Sequence, residues 1–170
     1  MSSTQVPMRA LPFEQLAAVE LDPEFVRAVH DMFGEKMAFN RLLGLRLTRS
    51  TPLVSEAAMD LRPELIGHYA HRRIHGGAIA AALDTMGGLA VMNAIGARYQ
   101  HEPLEQRLRH FMHLSTIDLR IDYLRPGLDE HYTLRAEVLR LGSRLASTRM
   151  EFMTGEGRVL ALGTAAYMVA

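Results

Sequence analysis

The run His75-Gly76-Gly77-Ala78-Ile79-Ala80-Ala81-Ala82-Leu83-Asp84 holds the residue types best able to do chemistry in this 170-residue chain. Two glycines at a helix start let a ligand approach the backbone closely. The N–H groups of a first helical turn lack intrahelical acceptors and sit at the positive end of the helix dipole. Such a site suits a phosphate, or an oxygen that gains negative charge in a transition state. Asp84 is a lone carboxylate on an apolar face, and an ionisable group in such surroundings is a site candidate. For the glycines alone, tight packing at a helix entrance is the better explanation. For Asp84 the plain alternative is a capping or paired carboxylate, which its mid-helix position and apolar neighbours weaken. His68, His71 and His75 form H-x2-H-x3-H, a spacing that invites a metal ion. No acidic fourth ligand stands at telling spacing, so the preferred reading is a polar loop in which His75 bonds local backbone, with no metal.

The elements that must position these groups follow from periodicity and punctuation. Asp22-Pro23-Glu24 reads as a helix start, and Phe25, Val26, Val29, Met32 and Phe33 continue it at helical spacing to about Ala38. A shorter helix is placed around residues 13–19. Leu43, Leu45 and Leu47 alternate with Gly44, Arg46 and Thr48 as a strand, and residues 53–61 make a second. Residues 62–74 are a polar, His-rich connection into an apolar helix over 77–95, which Gly96 is expected to stop in the C′ manner. That helix is long enough to span a bilayer. It is mostly Ala and Gly, however, and a central Asp costs about 2.5–3.5 kcal/mol on the insertion scale, so it reads as enclosed by protein. In 116–124, Ile117, Leu119, Ile121 and Tyr123 face one way and Asp118, Arg120 and Asp122 the other. Strands over 132–141, 144–153 and 158–169 follow with short turns, an antiparallel meander. The last is apolar on both faces, which suits a central position. Met32, Met37 and Met150 read as core fillers. A helix over 77–95 spans about 28 Å and a nine-residue strand about 30 Å, so one can wrap the other. The predicted architecture is α+β: an antiparallel β-sheet wrapped around a long central helix (41–170), with an N-terminal helical extension (1–40).

Taken in order, these motifs resemble the hotdog-fold acyl-CoA thioesterases, in the phenylacetyl-CoA and 4-hydroxybenzoyl-CoA thioesterase-like branch. The residues that carry the resemblance are His75-Gly76-Gly77 with Asp84 nine residues after the His, then Gly87-Gly88. Tyr123-Leu124-Arg125-Pro126-Gly127 matches a strand end, and Gly142-Ser143-Arg144-Leu145-Ala146 with Gly157-Arg158-Val159-Leu160-Ala161 matches the final hairpin. The similarity covers roughly residues 43–169. It implies an acyl-CoA thioesterase in which Gly76 or Gly77 presents the N–H that polarises the thioester carbonyl. Asp84 of the partner chain is then nucleophile or general base, and Thr116 positions water. Gly142, Ser143 and Arg144 hold the CoA nucleotide, with His75 and Arg125 also on the substrate side. Relatives carry an Asn near the place of His68; an imidazole can donate or accept, so the role can survive with altered pH behaviour. The connection over 97–113 is long for the family and reads as a lid or pocket wall. Gly76 and Asp84 are eight residues apart, about 12 Å along one helix. A nucleophile must come within roughly 3–3.5 Å of the carbonyl carbon. Two antiparallel central helices across a two-fold axis would join the halves, giving a homodimer with shared sites or a dimer of dimers. No cofactor is called for beyond coenzyme A as part of the substrate.

Composition trims the alternatives. Lys+Arg and Asp+Glu balance at 19 each, so there is no positive field to gather nucleic acid or bind a membrane surface. The absence of cysteine excludes a disulfide scaffold, a thiolate zinc site and a Cys nucleophile, and suits the cytoplasm. Residues 1–10 lack the charged and apolar regions of an export signal. No G-x-S-x-G elbow supports Ser/His/Asp catalysis. Two other functions share the fold class: a non-catalytic acyl-CoA or acyl-carrier binding protein, and a hotdog dehydratase. The dehydratase loses ground because no His closely follows Asp84.

Overall fold

The computed structural model describes residues 10–170; residues 1–9, which hold the start of the predicted extension and most of the stretch searched for an export signal, lie outside the described residues. A 3-10 helix (Phe13–Ala18) leads to α1 (Pro23–His30), where Asp22 accepts the Phe25 N–H at 2.7 Å and caps the helix as its position predicts. The helix expected to reach Ala38 changes form instead. Asp31–Lys36 is a π-helical turn, Met37 is extended, and α2 takes Ala38–Leu43. Leu43 therefore ends a helix rather than opening a strand, and Gly44 caps it in the left-handed conformation at φ +72°. Leu43 and Leu45 are both buried, on either side of that cap, so their spacing serves the core without a shared strand.

A hairpin of β1 (Arg46–Ser50) and β2 (Val54–Asp60) comes next. The polar connection holds a small antiparallel pair, β3 (Ile66–His68) and β4 (Arg73–Ile74). Then come α3 (Gly76–Arg98), α4 (Leu104–Arg109), β5 (Ser115–Tyr123), β6 (His131–Leu141), β7 (Leu145–Thr154) and β8 (Val159–Met168). Six strands form one antiparallel sheet in the order β1-β2-β6-β7-β8-β5. β6, β7 and β8 are the expected meander, and the doubly apolar β8 is paired on both sides. The fold is α+β, with the sheet wrapped on α3.

Gly96 does not stop α3, which runs on to Arg98. A Cβ there would lie 2.1 Å from Phe25 Cζ, so the glycine admits the α1 ring against the helix. α3 has the length and hydropathy of a membrane span, yet 72% of its most apolar window is buried inside the protein. β5 departs from its predicted pattern. Leu119 and Ile121 are half-buried, but Ile117 and Tyr123 are 55% and 53% exposed. The register slips between Thr116 and Asp118, which takes Ile117 out of the inward row.

Candidate active site

Asp84 lies on α3 where two strands converge. Thr116, at the irregular start of β5, donates from Oγ1 to Asp84 Oδ1 at 2.9 Å. Tyr167, near the end of β8, donates its hydroxyl to the Asp84 backbone carbonyl at 2.9 Å and stands 3.3 Å from Oδ1. Among the described residues Oδ2 has no hydrogen-bond partner. Tyr167 is 2% exposed, and burial, followed by the charge and hydrogen bond of Asp84, pushes its hydroxyl above the ordinary tyrosine range. It therefore stays a proton donor to the carboxylate. Gly87 makes room for it, since a Cβ there would meet the Tyr167 hydroxyl at 2.1 Å. A largely apolar chamber of about 190 Å³ opens beside Asp84, with Thr85, Gly88 and Leu114 among its lining residues.

The start of α3 is a different kind of place. His75 Nδ1 accepts the Gly77 N–H at 2.8 Å, so the histidine caps the helix and bonds local backbone, as the polar-loop reading has it. Of the two N–H groups predicted to meet a carbonyl, Gly77's is thus occupied. Gly76's has no acceptor among the described residues. The Tyr123 hydroxyl donates to the Gly76 carbonyl at 2.7 Å. An open groove of about 410 Å³ passes here, between Arg73, Gly76, Tyr123 and Arg125. Arg125 is steadied by its hydrogen bond to the Val159 carbonyl at 2.9 Å.

The structure thus brings Asp84 to Thr116 and Gly76 to Arg125, at opposite ends of β5. It joins neither pair to the other within one chain. His68 belongs to neither cluster: its ring stacks on His71 at 4.7 Å and on Tyr69 at 6.0 Å, and its buried Nδ1 has no partner among the described residues. Among the described residues no three His, Asp or Glu side chains are placed to share a metal ion. Gly142, Ser143 and Arg144 form the β6–β7 turn, with a groove of their own of about 410 Å³. Arg98, at the end of α3, holds that turn by donating to the Leu141 and Gly142 carbonyls at 2.5 and 2.6 Å. Leu145 pairs with Met168 and Met168 with Ser115, so Arg144 stands at the Thr116 end of the sheet, roughly 10 Å away across two strands. Arg125 is at the other end.

Tyr167 and Asn40 are the residues around Asp84 that sequence reasoning missed. The signal for Tyr167 was available: a tyrosine in a strand apolar on both faces must find a partner for its hydroxyl. Asn40 is buried and links α2 to the site, its Oδ1 accepting from Thr85 Oγ1 at 3.1 Å. Nothing in its neighbourhood in the sequence marks it.

A model of the thioesterase superfamily matches residues 71–161. An Escherichia coli K12 protein named medium/long-chain acyl-CoA thioesterase YigI is 37% identical over 157 residues, 91% of this chain and 99% of that protein. A solved structure from Shewanella oneidensis, described as related to the thioesterase superfamily, superposes with a TM-score of 0.81 at 35% identity, covering 88% of this chain and 99% of that one. The E. coli PaaI protein of the phenylacetic acid degradation operon, at 18% identity and a TM-score of 0.70 over 89% of this chain and 96% of its own, shares the fold.

Proposed function

The chain belongs to the thioesterase superfamily, and from that premise we propose that it hydrolyses medium- and long-chain acyl-CoA at a site built around Asp84. The observation that carries the reading is the state of that carboxylate. One oxygen is held by Thr116 and Tyr167, while the other has no partner among the described residues and lies beside an apolar chamber. A carboxylate so oriented can act in two ways. As a general base, Oδ2 takes a proton from a water that attacks the carbonyl carbon. As a nucleophile, Oδ2 attacks that carbon itself and water then cleaves the resulting anhydride. Either way the C–S bond breaks, CoA leaves as a thiolate that takes up a proton, and the acyl group departs as the acid. Gly76 N–H, at the positive end of α3, is the donor for the carbonyl oxygen as negative charge develops on it.

Gly76 and Asp84 of one chain stand about 12 Å apart along α3, which supports a complete site shared in a homodimer or a dimer of dimers, and the cysteine-free chain suits the cytoplasm. The edge of β5 supports the shared site. A strand edge that is unpaired among the described residues, with Ile117, Tyr123 and Leu124 at least half exposed, is a surface that a second copy can cover. Arg73 and Arg125 beside Gly76 suit the CoA phosphates.

Thiol release from a panel of acyl-CoA thioesters tests the reading. Asp84→Asn is expected to lower kcat by about 10²–10⁴-fold while the circular dichroism spectrum is kept. A variant with wild-type kcat removes Asp84 from the chemistry. A wild-type protein that binds acyl-CoA and releases no thiol is the binding module instead.

A further inference from the structure

Four side chains line one side of the chamber beside Asp84, and none lies on α3 or on a strand of the sheet. Phe33 and Met37 come from the segment between α1 and α2; Phe111 and Leu114 come from the connection between α4 and β5. Phe33 and Phe111 meet edge to face, with ring centroids 5.6 Å apart at 72°. Phe33 and Met37 fall outside residues 71–161, the part that matches the superfamily model.

We infer that this Phe33–Phe111 wall ends the acyl pocket and sets the chain length the enzyme prefers; the inference rests on the acyl-CoA thioesterase reading and deepens it.

The wall is built to hold a position. Phe33 is 4% exposed and sits in the π-helical turn, a form that concentrates at functional sites. Asn40 Nδ2 donates to the Phe33 carbonyl at 2.7 Å while its Oδ1 accepts from Thr85, the residue after Asp84. One buried amide thus fixes the turn that carries Phe33 relative to the carboxylate. The Phe111 side is tied down separately. Arg107 of α4, nearly buried, ion-pairs with Asp22 and lies 4.2 Å over the Phe25 ring. Burial alone would raise the Asp22 carboxyl, but the Arg107 hydrogen bond, the Phe25 N–H and the Arg107 charge outweigh it and hold the carboxyl below its usual range. The Asp22 carboxylate therefore stays charged at neutral pH. Across the chamber Gly88 leaves open floor, where a Cβ would meet Leu114 Cδ2 at 3.8 Å and Phe33 Cε1 at 3.9 Å, ordinary contacts. At about 190 Å³ the chamber is smaller than the roughly 300–1,000 Å³ of pockets that enclose a drug-sized ligand. A chain that runs from Asp84 toward this wall meets the two rings.

The experiment is kcat/KM over saturated thioesters from butanoyl- to hexadecanoyl-CoA. Phe33→Ala and Phe111→Ala are expected to raise the long-to-short ratio about tenfold, and Gly88→Ala to lower it by a similar factor, the low end of what one pocket carbon discriminates. Gly88→Ala fits without a clash and keeps the test intact if Phe33→Ala fails to fold. An active wild type whose folded variants all keep its profile overturns the wall. A wild type that cleaves none of the series overturns the thioesterase reading and the wall with it.

Discussion

The two ends of β5 meet α3 under contrasting conditions. At the Gly76 end the groove is open, two arginines border it, and the candidate group is a backbone N–H. At the Asp84 end the candidate group is a side chain, and its partners come from β5 and β8 while a chamber wall comes from the N-terminal helices and the connection after α4. A backbone donor at a helix start is positioned by the helix itself. A carboxylate on a mobile side chain needs hydrogen bonds and packing to hold one rotamer. The difference teaches where this fold spends its tertiary contacts: on the group that must be aimed. It also divides the substrate, with the anionic carrier suited to the open end and the acyl chain to the apolar one.

The strongest challenge to this division is whether the two ends of one chain ever cooperate. Asp84→Asn and Gly76→Val are each expected to be inactive. Co-refolded in equal amounts, random pairing should restore about a quarter of wild-type activity, because half the dimers are mixed and one site in each carries no lesion. Verified mixed dimers without recovered activity break the shared-site model.

A smaller effect is expected from Tyr167→Phe, which removes one donor from the Asp84 carboxylate. Hydrogen bonds to charged groups are worth about 1.5–3 kcal/mol, so kcat should fall roughly 10–100-fold. The donor stabilises the ionised carboxylate. It also holds one rotamer of the side chain, so the loss should fall on kcat while the circular dichroism spectrum is kept. A folded variant with wild-type kcat would make Tyr167 a packing residue only.

The least effect is expected at the open end. Arg125→Ala should raise KM for acyl-CoA about two- to fivefold, the scale of a solvated ion pair, and added salt should erode the difference. Acyl-N-acetylcysteamine thioesters, which lack the nucleotide, should show no such change. If Arg144→Ala raises KM and Arg125→Ala does not, the nucleotide lies at the Asp84 end of the sheet and the division of the substrate fails.

Most of the fold was legible in the chain. α3 announced itself by length and unbroken apolarity, the β6–β8 meander by alternation between glycine turns, and α1 by its Asp-Pro start. The misreadings fall where a local pattern admits two causes. Gly96 resembled a helix stop because glycine serves both caps and close approaches, and the ring that needs the space, Phe25, is far away in the sequence. Leu43 looked like strand because three alternating leucines fit either state until Gly44 takes a positive φ. Of the site, Gly76 and Asp84 were legible as chemistry, and Thr116 only through resemblance. Tyr167 and Asn40 were not found.

Caps, turns and hydrophobic periodicity act over a few neighbouring residues, so the order of elements and the presence of a lone carboxylate on an apolar helix follow from the chain itself. The company that carboxylate keeps does not. Thr116 is 32 residues from Asp84 and Tyr167 is 83 away, and Asp22 lies 85 residues from the Arg107 it pairs with. Contacts at such separations depend on how α3 crosses the sheet and on which rotamers the packed core leaves open. That is why a catalytic carboxylate could be suspected from residue types alone, whereas its free oxygen, its two donors and the wall of its chamber emerged only with the packed chain.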